Sequence, residues 1–465
     1  MKRKKLIIFS LLIIWFFTIL ATVVWTYENP EKIKKLKDTL KYDFSVGEFL
    51  QNIKSNNDKE KYKSLEKNFT TEIDSAYNYL TLDHHTVPVY SSYGGIAELE
   101  GNIIYLSGDS DLFILKKNNY SENFEFTLIN AKKINNGKKA FIKSNEKTVG
   151  KNAEKYFGIK DILIEKFDKF ENKLFFASSL KYIEKKNCYV VSIFVAEILD
   201  VLSVKLSNWK EIFSSKKCLS VDLTTNPRFA AASAGGRLFK LNENSILFSV
   251  GDFYADGVNG PILSQDLSNI YGKIIEIDIN DFSSKIFSYG HRNPQGLFID
   301  DQKNIFSTEH GPTGGDEINL VLENSNYGWP YATYGTNYKS SDAYKKIAND
   351  NRKKWPIDKS NNTHDNYVKP LFSWGNQFGI SNLIVYGGDY FNNWNKNLIV
   401  TSLATKQIVR FIYDYEKKLV LYKENIKIGK RIRDIIPLEN GKIALLTDRG
   451  KKFNEYPEII IINKK

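Results

Sequence analysis

The chain has only two cysteines, Cys188 and Cys218, among its 465 residues. They are not arranged as the closely spaced pairs of a zinc site, so the cysteines do not predict a structural metal centre. An oxidising compartment would permit a disulfide between them, and two unpaired buried thiols are an equally open alternative.

The sequence also lacks a cationic stripe. The net charge is +12, but the lysines are scattered through predicted turns. No run of arginine and lysine interleaves with aromatic residues, as a nucleic-acid groove would require. The charge therefore indicates a solvated basic surface, and we expect no nucleic-acid partner.

Beyond Val87 the chain lacks any long stretch of helical periodicity. Short apolar runs alternate with polar turns, which indicates an all-β sandwich, barrel or propeller. Hydrophobic residues make up 42% of the chain and aromatic residues 14%, enough for a sizeable core. This composition excludes a disordered protein.

A repeated unit distinguishes among these architectures. It consists of a polar turn, then Asn or Lys, then an apolar strand that ends in small polar residues. The six copies are NIIYLSG from Asn102, NKLFFASS from Asn172, NSILFSVGD from Asn244, NIFSTE from Asn304, NLIVTSL from Asn397 and KIALLTD from Lys442. Their spacing suits a four-stranded blade with generous loops, and six blades around an axis leave few exposed sheet edges. We therefore predict a six-bladed β-propeller over residues 81–465.

The N-terminus carries a long uncharged apolar run. Basic residues at positions 2–5 precede the run from Leu6 to Trp25, which at ~1.5 Å per residue can cross a ~30 Å hydrocarbon layer. The run is either a cleavable signal or an anchor, and the lack of a small-residue cleavage exit favours an anchor. We expect residues 1–27 to form a cytoplasmic tip and a transmembrane helix. The positive-inside rule then places the propeller on the outer, periplasmic or extracytoplasmic side.

Residues 28–80 are rich in Lys, Glu, Asn and Asp. Their apolar residues are too sparse for a core, because a segment must bury apolar surface to offset the entropy of ordering. We predict a charged helical or disordered stalk.

The stretch from Tyr289 to Asn337 concentrates polar motifs at one end of a predicted hairpin. GHRNPQ precedes the strand-like run GLFID, EHGPTGGDE follows the run NIFSTE, and DDQK forms the turn between the two runs. The repeat places Ser233 and Arg433 at the same end of other hairpins. Because a propeller turns equivalent blade positions toward one axis, we expect these residues to meet at one mouth of the central channel.

These motifs carry a resemblance to a known family. From about Phe229 to Asp448 the chain resembles the soluble pyrroloquinoline quinone (PQQ) dependent glucose, sorbosone and aldose sugar dehydrogenases. The matching segments are GGRL, QDLSNIYGKIIEID, GHRNPQG, EHGPTGGDEIN, NYGWP and RIRD. The resemblance implies a six-bladed propeller that oxidises a sugar or related alcohol with PQQ and calcium as cofactors.

The resemblance also implies roles for individual residues. It assigns cofactor contacts to Arg292, Asn293, Arg431 and Arg433. Guanidinium groups suit a tricarboxylate such as PQQ, although ion pairs between blades are the alternative reading of the arginines. The backbone carbonyls of Gly311 and Pro312 are implied to hold calcium, and the alternative is an ordinary Gly-Pro turn.

Two positions depart from the family pattern. The family's general base is a histidine, and Ser233 stands at that position, while Asp252, the residue implied to brace the histidine, is retained. A serine hydroxyl cannot take up a proton near neutral pH without a base of its own, so catalysis at this position is in question. The family lysine after Ser-Leu is replaced by Ala404, and Lys406 would substitute for it if both shared a strand face.

Three functions follow from these observations. The first is a PQQ-dependent sugar dehydrogenase with Ser233 and Asp252 at the catalytic position. The second is a non-catalytic propeller that binds a carbohydrate or a protein partner. The third is a hydrolase that uses a metal with Asp252 or Asp316. The histidines at positions 84, 85, 291 and 310 are further candidates for a base, and the sequence favours none of them.

Overall fold

Six antiparallel sheets make up the computed structural model, which describes residues 68–76, 78–117, 124–150, 155–224, 230–335, 364–449 and 456–465. Each sheet is one blade. The inner strands of neighbouring blades contact one another in a closed ring, in the order of blades 1 to 6 and back to blade 1. The predicted six-bladed, all-β propeller is therefore confirmed.

The first three blades run from the inner strand outward as follows. Blade 1 contains β3 (Gly94–Leu99), β4 (Asn102–Ser107), β5 (Leu112–Lys117) and β6 (Phe124–Ile129). Blade 2 contains β7 (Ile159–Glu165), β8 (Leu174–Ile183) and β9 (Cys188–Asp200), and the short strands β10 (Lys205–Leu206), β11 (Lys210–Ser214) and β12 (Leu219–Ser220) all pair with β9. Blade 3 contains β13 (Gly235–Asn242), β14 (Ser245–Val250), β15 (Lys273–Asp278), β16 (Ser284–Tyr289) and β20 (Ser325–Asn326).

The other three blades complete the ring. Blade 4 contains β17 (Pro294–Ile299), β18 (Ile305–Glu309), β19 (Asp316–Leu320) and β21 (Phe372–Trp374). Blade 5 contains β22 (Ile380–Val385), β23 (Leu398–Ser402), β24 (Gln407–Asp414) and β25 (Leu419–Lys427). Blade 6 contains β26 (Ile432–Pro437), β27 (Ile443–Thr447) and β28 (Glu458–Lys464), followed by β2 (Tyr79–Thr86) and β1 (Asn68–Asp74).

All six copies of the sequence repeat coincide with the second strand of a blade: β4, β8, β14, β18, β23 and β27. Neighbouring blades cover both faces of a second strand. In β14 and β27 every residue is consequently buried. A strand buried on both faces has a continuous apolar run rather than an alternating one, and this made the repeat visible in the sequence.

Strand β2 closes the ring by pairing antiparallel with the C-terminal strand β28. Strand β1 then adds to the outer edge of β2. The prediction that the stalk extends to residue 80 is therefore corrected, because Asn68–Asp74 form β1 and β2 begins at Tyr79. As an edge strand, β1 is exposed at six of its seven positions, and a polar edge strand resembles a charged linker in sequence.

Blade 2 carries two additional features. Helix α1 (Lys138–Val149) precedes its inner strand and packs through Phe141, whose ring stacks on Phe157. Cys188 and Cys218 form a disulfide with a Cα–Cα distance of 5.7 Å, which ties the start of β9 to the chain entering β12. Of the two alternatives for the cysteines, the structure has the disulfide.

No helix among the described residues is long and apolar enough to cross a membrane. The predicted anchor at residues 1–27 lies outside the described residues, as does the predicted stalk up to residue 67.

A buried ion pair network joins the inner strands at the axis. Arg237 of β13 donates through Nη1 to Asp161 of β7 and to Asp434 of β26, both at 2.7 Å. Its Nε donates to the carbonyl oxygen of Gln295 in β17 at 3.1 Å. Asp434 also accepts hydrogen bonds from the side chain of Asn382 in β22 and from the backbone amide of blade 1 residue Ile96. One guanidinium and two carboxylates thus connect all six inner strands.

We expect Arg237→Ala to lower the free energy of unfolding by about 3–5 kcal/mol, because it leaves two buried carboxylates without a cation. The matched control is Lys285→Ala. Lys285 also joins two carboxylates, at 2.9 and 3.2 Å, but it is 60% exposed. Solvent screens such a pair, so the control should cost at most about 1 kcal/mol. Urea unfolding of the full-length chain in mild detergent measures both changes, and equal losses would contradict the role assigned to Arg237.

Candidate active site

A cavity of about 450 Å³ opens where the inner strands begin. Every blade contributes lining residues at or just before the start of its inner strand. These are Tyr93 in blade 1, Lys160 in blade 2, Ser233 to Gly235 in blade 3, Asn293 in blade 4, Gly379 in blade 5 and Arg431 in blade 6. The propeller thus brings together residues that are far apart in sequence.

Five basic side chains line the cavity: Lys155, Lys160, Arg292, Arg431 and Arg433. Asp448 is the single carboxylate among the described lining residues. Such an excess of positive charge suits an anionic ligand, because unlike charges attract strongly where water is partly excluded.

Asp448 pairs with the two arginines of blade 6. Its Oδ2 lies 2.7 Å from Nη2 of Arg433 and 3.7 Å from Nη2 of Arg431. Burial raises the pKa of Asp448, but the charges of Arg433 and Arg431 outweigh this effect and hold the pKa below its usual range. The alternative interpretation, in which the arginines form ion pairs, thus holds in part, because Arg431 and Arg433 pair with Asp448. The lining of the cavity still carries a net positive charge.

Ser233 and Asp252 are in direct contact. Ser233 has a left-handed backbone (φ 55°), and its hydroxyl donates to Oδ1 of Asp252 at 2.9 Å. Asp252 is 1% exposed and also accepts hydrogen bonds from the backbone amide of Tyr254 and from the indole of Trp329, at 2.9 and 2.8 Å. Burial raises the pKa of Asp252 to about 7, although nearby Arg292 acts in the opposite direction. Ser233 therefore faces the cavity with a buried carboxylate of raised pKa behind it.

Arg292 and Asn293 form the blade 4 wall. The Arg292 guanidinium donates to the carbonyl oxygen of His310 at 3.1 Å and lies over the rings of Tyr254 and Trp329, about 5.5 Å from each centre. The side-chain oxygen of Asn293 accepts a hydrogen bond from the Gly235 amide at 3.0 Å. These contacts hold both side chains at the cavity by polar bonds and aromatic packing.

Gly311 and Pro312 line the cavity on the loop after β18. The Gly311 amide donates to Asp316 at 3.0 Å, and a Cβ at Gly311 would overlap the carbonyl oxygen of Gly314. Among the described residues, no donor reaches the carbonyl oxygen of Gly311 or Pro312. The described part of the chain contains no cluster of three His, Cys, Asp or Glu side chains that could hold a metal. A cation here would therefore rely on backbone carbonyls.

The structure does not place Lys406 in the cavity. Strand β23 ends at Ser402, so positions 404 and 406 do not share a strand face as the prediction assumed. Ala404 lines the cavity, whereas Lys406 is exposed in a turn, and its carbonyl accepts hydrogen bonds from the amides of Ile428 and Gly429. The turn after β23 had no signal in the sequence that distinguished it from a continued strand.

Three of the candidate histidines have structural partners away from the cavity. His84 contacts Glu458 at 2.8 Å, and His85 contacts Asn68. His291 is fully buried between Ser288 and Glu309. His310 alone among these candidates lines the cavity, where its Nδ1 lies 3.6 Å from Asp316.

Asp316 itself serves the backbone. Its carboxylate accepts hydrogen bonds from the amides of Gly311, Gly379 and Ile380. Asp316 thus fixes the loop after β18 to the segment that enters β22.

Sequence reasoning missed the part of the site that comes from blades 1 and 2. Tyr93, Lys155, Tyr156 and Lys160 line the cavity but lie ahead of Phe229, where no motif was recognised. Only the repeat could have identified them. Tyr93 stands immediately ahead of β3 as Arg431 does ahead of β26, and Lys160 is the second residue of β7 as Arg433 is of β26.

Comparison with known proteins places the chain in a family. Residues 135–454 match the Glucose / Sorbosone dehydrogenase family. Aldose sugar dehydrogenase YliI of Escherichia coli strain K12 is 29% identical over 233 residues, which are 46% of this chain and 57% of that protein. Quinoprotein glucose dehydrogenase B of Acinetobacter calcoaceticus is 26% identical over 241 residues, which are 40% of this chain and 49% of that protein. Both matches span about half of the relative's length.

Solved structures share the fold. The soluble aldose sugar dehydrogenase of Escherichia coli in its apo form aligns with a TM-score of 0.61 at 18% identity, over 86% of this chain and 100% of that one. The PQQ-bound aldose sugar dehydrogenase of Streptomyces coelicolor aligns with a TM-score of 0.55 at 16% identity, over 86% of this chain and 99% of that one. At these identities the likeness establishes a common propeller.

The family match extends further than the sequence motifs indicated. It begins at residue 135 rather than near Phe229, so it includes blade 2 with Lys155 and Lys160. It also covers more than half of the chain and every predicted site residue. This protein therefore belongs to the Glucose / Sorbosone dehydrogenase family.

Proposed function

We propose that the chain binds PQQ in the cavity and uses it to oxidise an aldose or a related alcohol. The observation that carries the proposal is the cavity's basic lining, in which five lysine and arginine side chains face one carboxylate. PQQ is a tricarboxylate, and guanidinium groups bind carboxylates with paired, charge-assisted hydrogen bonds. Family membership and the name of the quinoprotein relative support the same cofactor.

The residues present fit this cofactor. Arg292, Asn293, Arg431 and Arg433 would hold it, and all four line the cavity. The Nε of Arg433 is buried without a hydrogen-bond partner among the described residues. A buried donor without a partner is costly, which favours a ligand acceptor in this position. When bound, the quinone would supply a two-electron acceptor for the hydride that leaves the sugar carbon.

Calcium is part of the proposal through Gly311 and Pro312. Carbonyl oxygens are hard ligands of the type that calcium prefers, and these two are free of described hydrogen-bond donors. Because calcium takes 6–8 oxygen ligands, the cofactor and water would supply the others. A calcium ion held there would act as a Lewis acid toward the cofactor.

Removal of the substrate proton is the step for which the site lacks the family's base. Ser233 occupies the position of the family base, and its hydroxyl is a donor to Asp252 rather than an acceptor of a substrate proton. Asp252 is the nearby group that could take up a proton, but Ser233 lies between it and the cavity. We infer slow turnover in the wild-type protein.

The same observation supports a second candidate function, a non-catalytic propeller that binds a carbohydrate or protein partner through the cavity mouth. In that case the cations would hold a ligand without turnover. The fold alone does not distinguish the dehydrogenase from the non-catalytic binding protein, since function resides in the site.

We also propose that residues 1–27 anchor the chain in the membrane with the propeller on the outer side. The uncharged run after the basic residues at positions 2–5 supports this orientation.

Removal of a cavity arginine should weaken PQQ binding. We expect Arg433→Ala and Arg292→Ala each to weaken it about ten-fold or more, since a charge-assisted hydrogen bond contributes roughly 1.5–3 kcal/mol. Lys417→Ala, at a residue that is 70% exposed on blade 5, is the control and should leave the affinity unchanged. Calorimetry of the full-length chain with PQQ and calcium measures this, and no binding by the unmutated protein would refute the proposed cofactor.

Ser233→His should raise dye-linked aldose oxidation by PQQ-loaded protein by roughly 10²- to 10⁴-fold, the usual contribution of a positioned base. Histidine tolerates the left-handed backbone at this position better than most residues do. Asp252→Asn in the same variant should reduce the gain, because the carboxylate would no longer orient the imidazole.

The matched control for this experiment is Ser233→Ala. Any residual wild-type activity that depends on Asp252 as the base should rise as the pH increases through about 7, where the carboxyl group loses its proton. A fast wild-type enzyme that loses nothing in Ser233→Ala would show that another residue is the base. A Ser233→His variant that binds PQQ but stays inert would favour the non-catalytic function.

Protease added to intact spheroplasts should degrade the propeller and leave the basic N-terminal tip protected, because the tip is expected on the cytoplasmic side. The full-length chain should sediment with membranes. A soluble mature protein that begins near residue 26, or a propeller protected from external protease, would contradict the anchor.

A further inference from the structure

Lys160 is a buried lysine that has no carboxylate partner among the described residues. It is 7% exposed and lines the cavity at the second residue of β7. Its Nζ donates to the carbonyl oxygen of Tyr156 and lies 3.8 Å from the centre of the Tyr93 ring. Within the described part of the chain no carboxylate forms an ion pair with it. A charged group removed from water is costly unless a counterion compensates it.

A second cation lies against the same aromatic ring. The Arg433 guanidinium carbon is 4.4 Å from the centre of the Tyr93 ring. Its carboxylate partner, Asp448, already pairs with it at 2.7 Å. Two cations therefore share one ring, and the carboxylate of the cavity is engaged by one of them. An anion that entered the cavity would relieve this imbalance.

Lys273 shows how the same protein buries a lysine that needs no ligand. Its Nζ donates to three carbonyl oxygens, those of Leu263, Ser264 and Tyr271, at 2.7, 3.1 and 2.8 Å. An ammonium has three hydrogens to donate, so Lys273 is fully satisfied. The Nζ of Lys160 contacts one carbonyl oxygen and one aromatic ring. It therefore keeps hydrogen-bond donors that a ligand in the cavity could use.

The backbone beside Lys160 is shaped to admit its side chain. Gly236 has a left-handed backbone (φ 118°), and a Cβ there would overlap Cβ of Lys160. The methylene stem of Lys160 thus packs against a glycine of the GGRL segment on the neighbouring blade. This close approach holds the stem of Lys160 at the boundary between blades 2 and 3.

The charges that face Lys160 come from several elements. Burial holds the pKa of Lys160 well below its usual range, Arg433 of β26 and Lys138 of α1 lower it further, and Asp448 raises it. Tyr93, ahead of β3, and Tyr156, ahead of β7, contribute the ring and the carbonyl. A bound anion would oppose the lowering and favour the protonated amine.

We propose that Lys160 is an anion-binding residue of the cavity and that its ammonium pairs with a carboxylate of the bound ligand. The inference deepens the proposed function and rests on it in one respect, namely that the ligand carboxylate is one of the three in PQQ. It adds a residue from blade 2 to the contacts expected from blades 4 and 6. The ligand is then held from two sides of the axis.

The test is calorimetric titration of the full-length chain in mild detergent with two probes, PQQ with calcium and benzene-1,3,5-tricarboxylate, which has three carboxylates but no quinone. Lys160→Met removes the charge and keeps the stem, and it should weaken the binding of both probes about ten-fold or more. Lys273→Met is the control for loss of a buried lysine outside the cavity, and it should leave both affinities unchanged.

Proton uptake separates a ligand contact from a structural role. Titration in buffers of different ionisation enthalpy should show that the wild type takes up protons on binding, because burial lowers the pKa of the Lys160 amine and an arriving carboxylate raises it. Lys160→Arg should keep the affinity within a few-fold but lose this part of the uptake, since arginine is always protonated. If Lys160→Met does not fold, the Arg variant decides the question by its proton count.

Each outcome has a distinct meaning. Equal affinities of wild type and Lys160→Met for PQQ, with unchanged proton uptake, would overturn the inference and leave the proposed cofactor intact. Lys160-dependent binding of the tricarboxylate without binding of PQQ would support the inference and refute the cofactor. Binding of neither probe would overturn both.

Discussion

The propeller depends on one buried guanidinium. Arg237 binds Asp161 and Asp434, and together these three side chains contact the inner strand of every blade. The cavity lies one layer above this network, since Lys160 precedes Asp161 and Arg433 precedes Asp434 in the chain. The network therefore holds the inner strands of all six blades together directly beside the residues that line the cavity.

The architecture was predictable from sequence because it rests on patterns that burial enforces. The second strand of each blade is apolar on both faces, so six copies of one apolar unit appeared even where no family motif did. Where burial is weak the sequence was misleading. The exposed edge strand β1 resembles a linker in sequence, and the turn after Ser402 takes Lys406 off the strand face predicted for it.

The site was predictable where motifs mark it and hidden where they do not. Arg292, Asn293, Gly311 and Arg433 lie in recognisable segments, and the structure places all of them on one cavity. Lys160 follows no motif, and its importance arises from what surrounds it: a neighbouring arginine, an aromatic ring and, within the described ranges, no carboxylate partner. Such a combination is a property of the folded chain, because its members come from blades 1, 2 and 6. Uncompensated charge of this kind opposes stability, as is common at functional sites.

The pairing of β2 with β28 has a consequence for biosynthesis. Blade 6 takes its inner strands and β28 from the end of the chain and its outer strands from the beginning of the propeller. Strand β28 (Glu458–Lys464) is the last strand of the propeller in chain order. During synthesis β2 must consequently wait, with one edge unpaired, until β28 has left the ribosome. Arg431 and Arg433 belong to this last blade, so the cavity acquires both arginines only late in synthesis, and a chain that lacks blade 6 carries an incomplete ligand site.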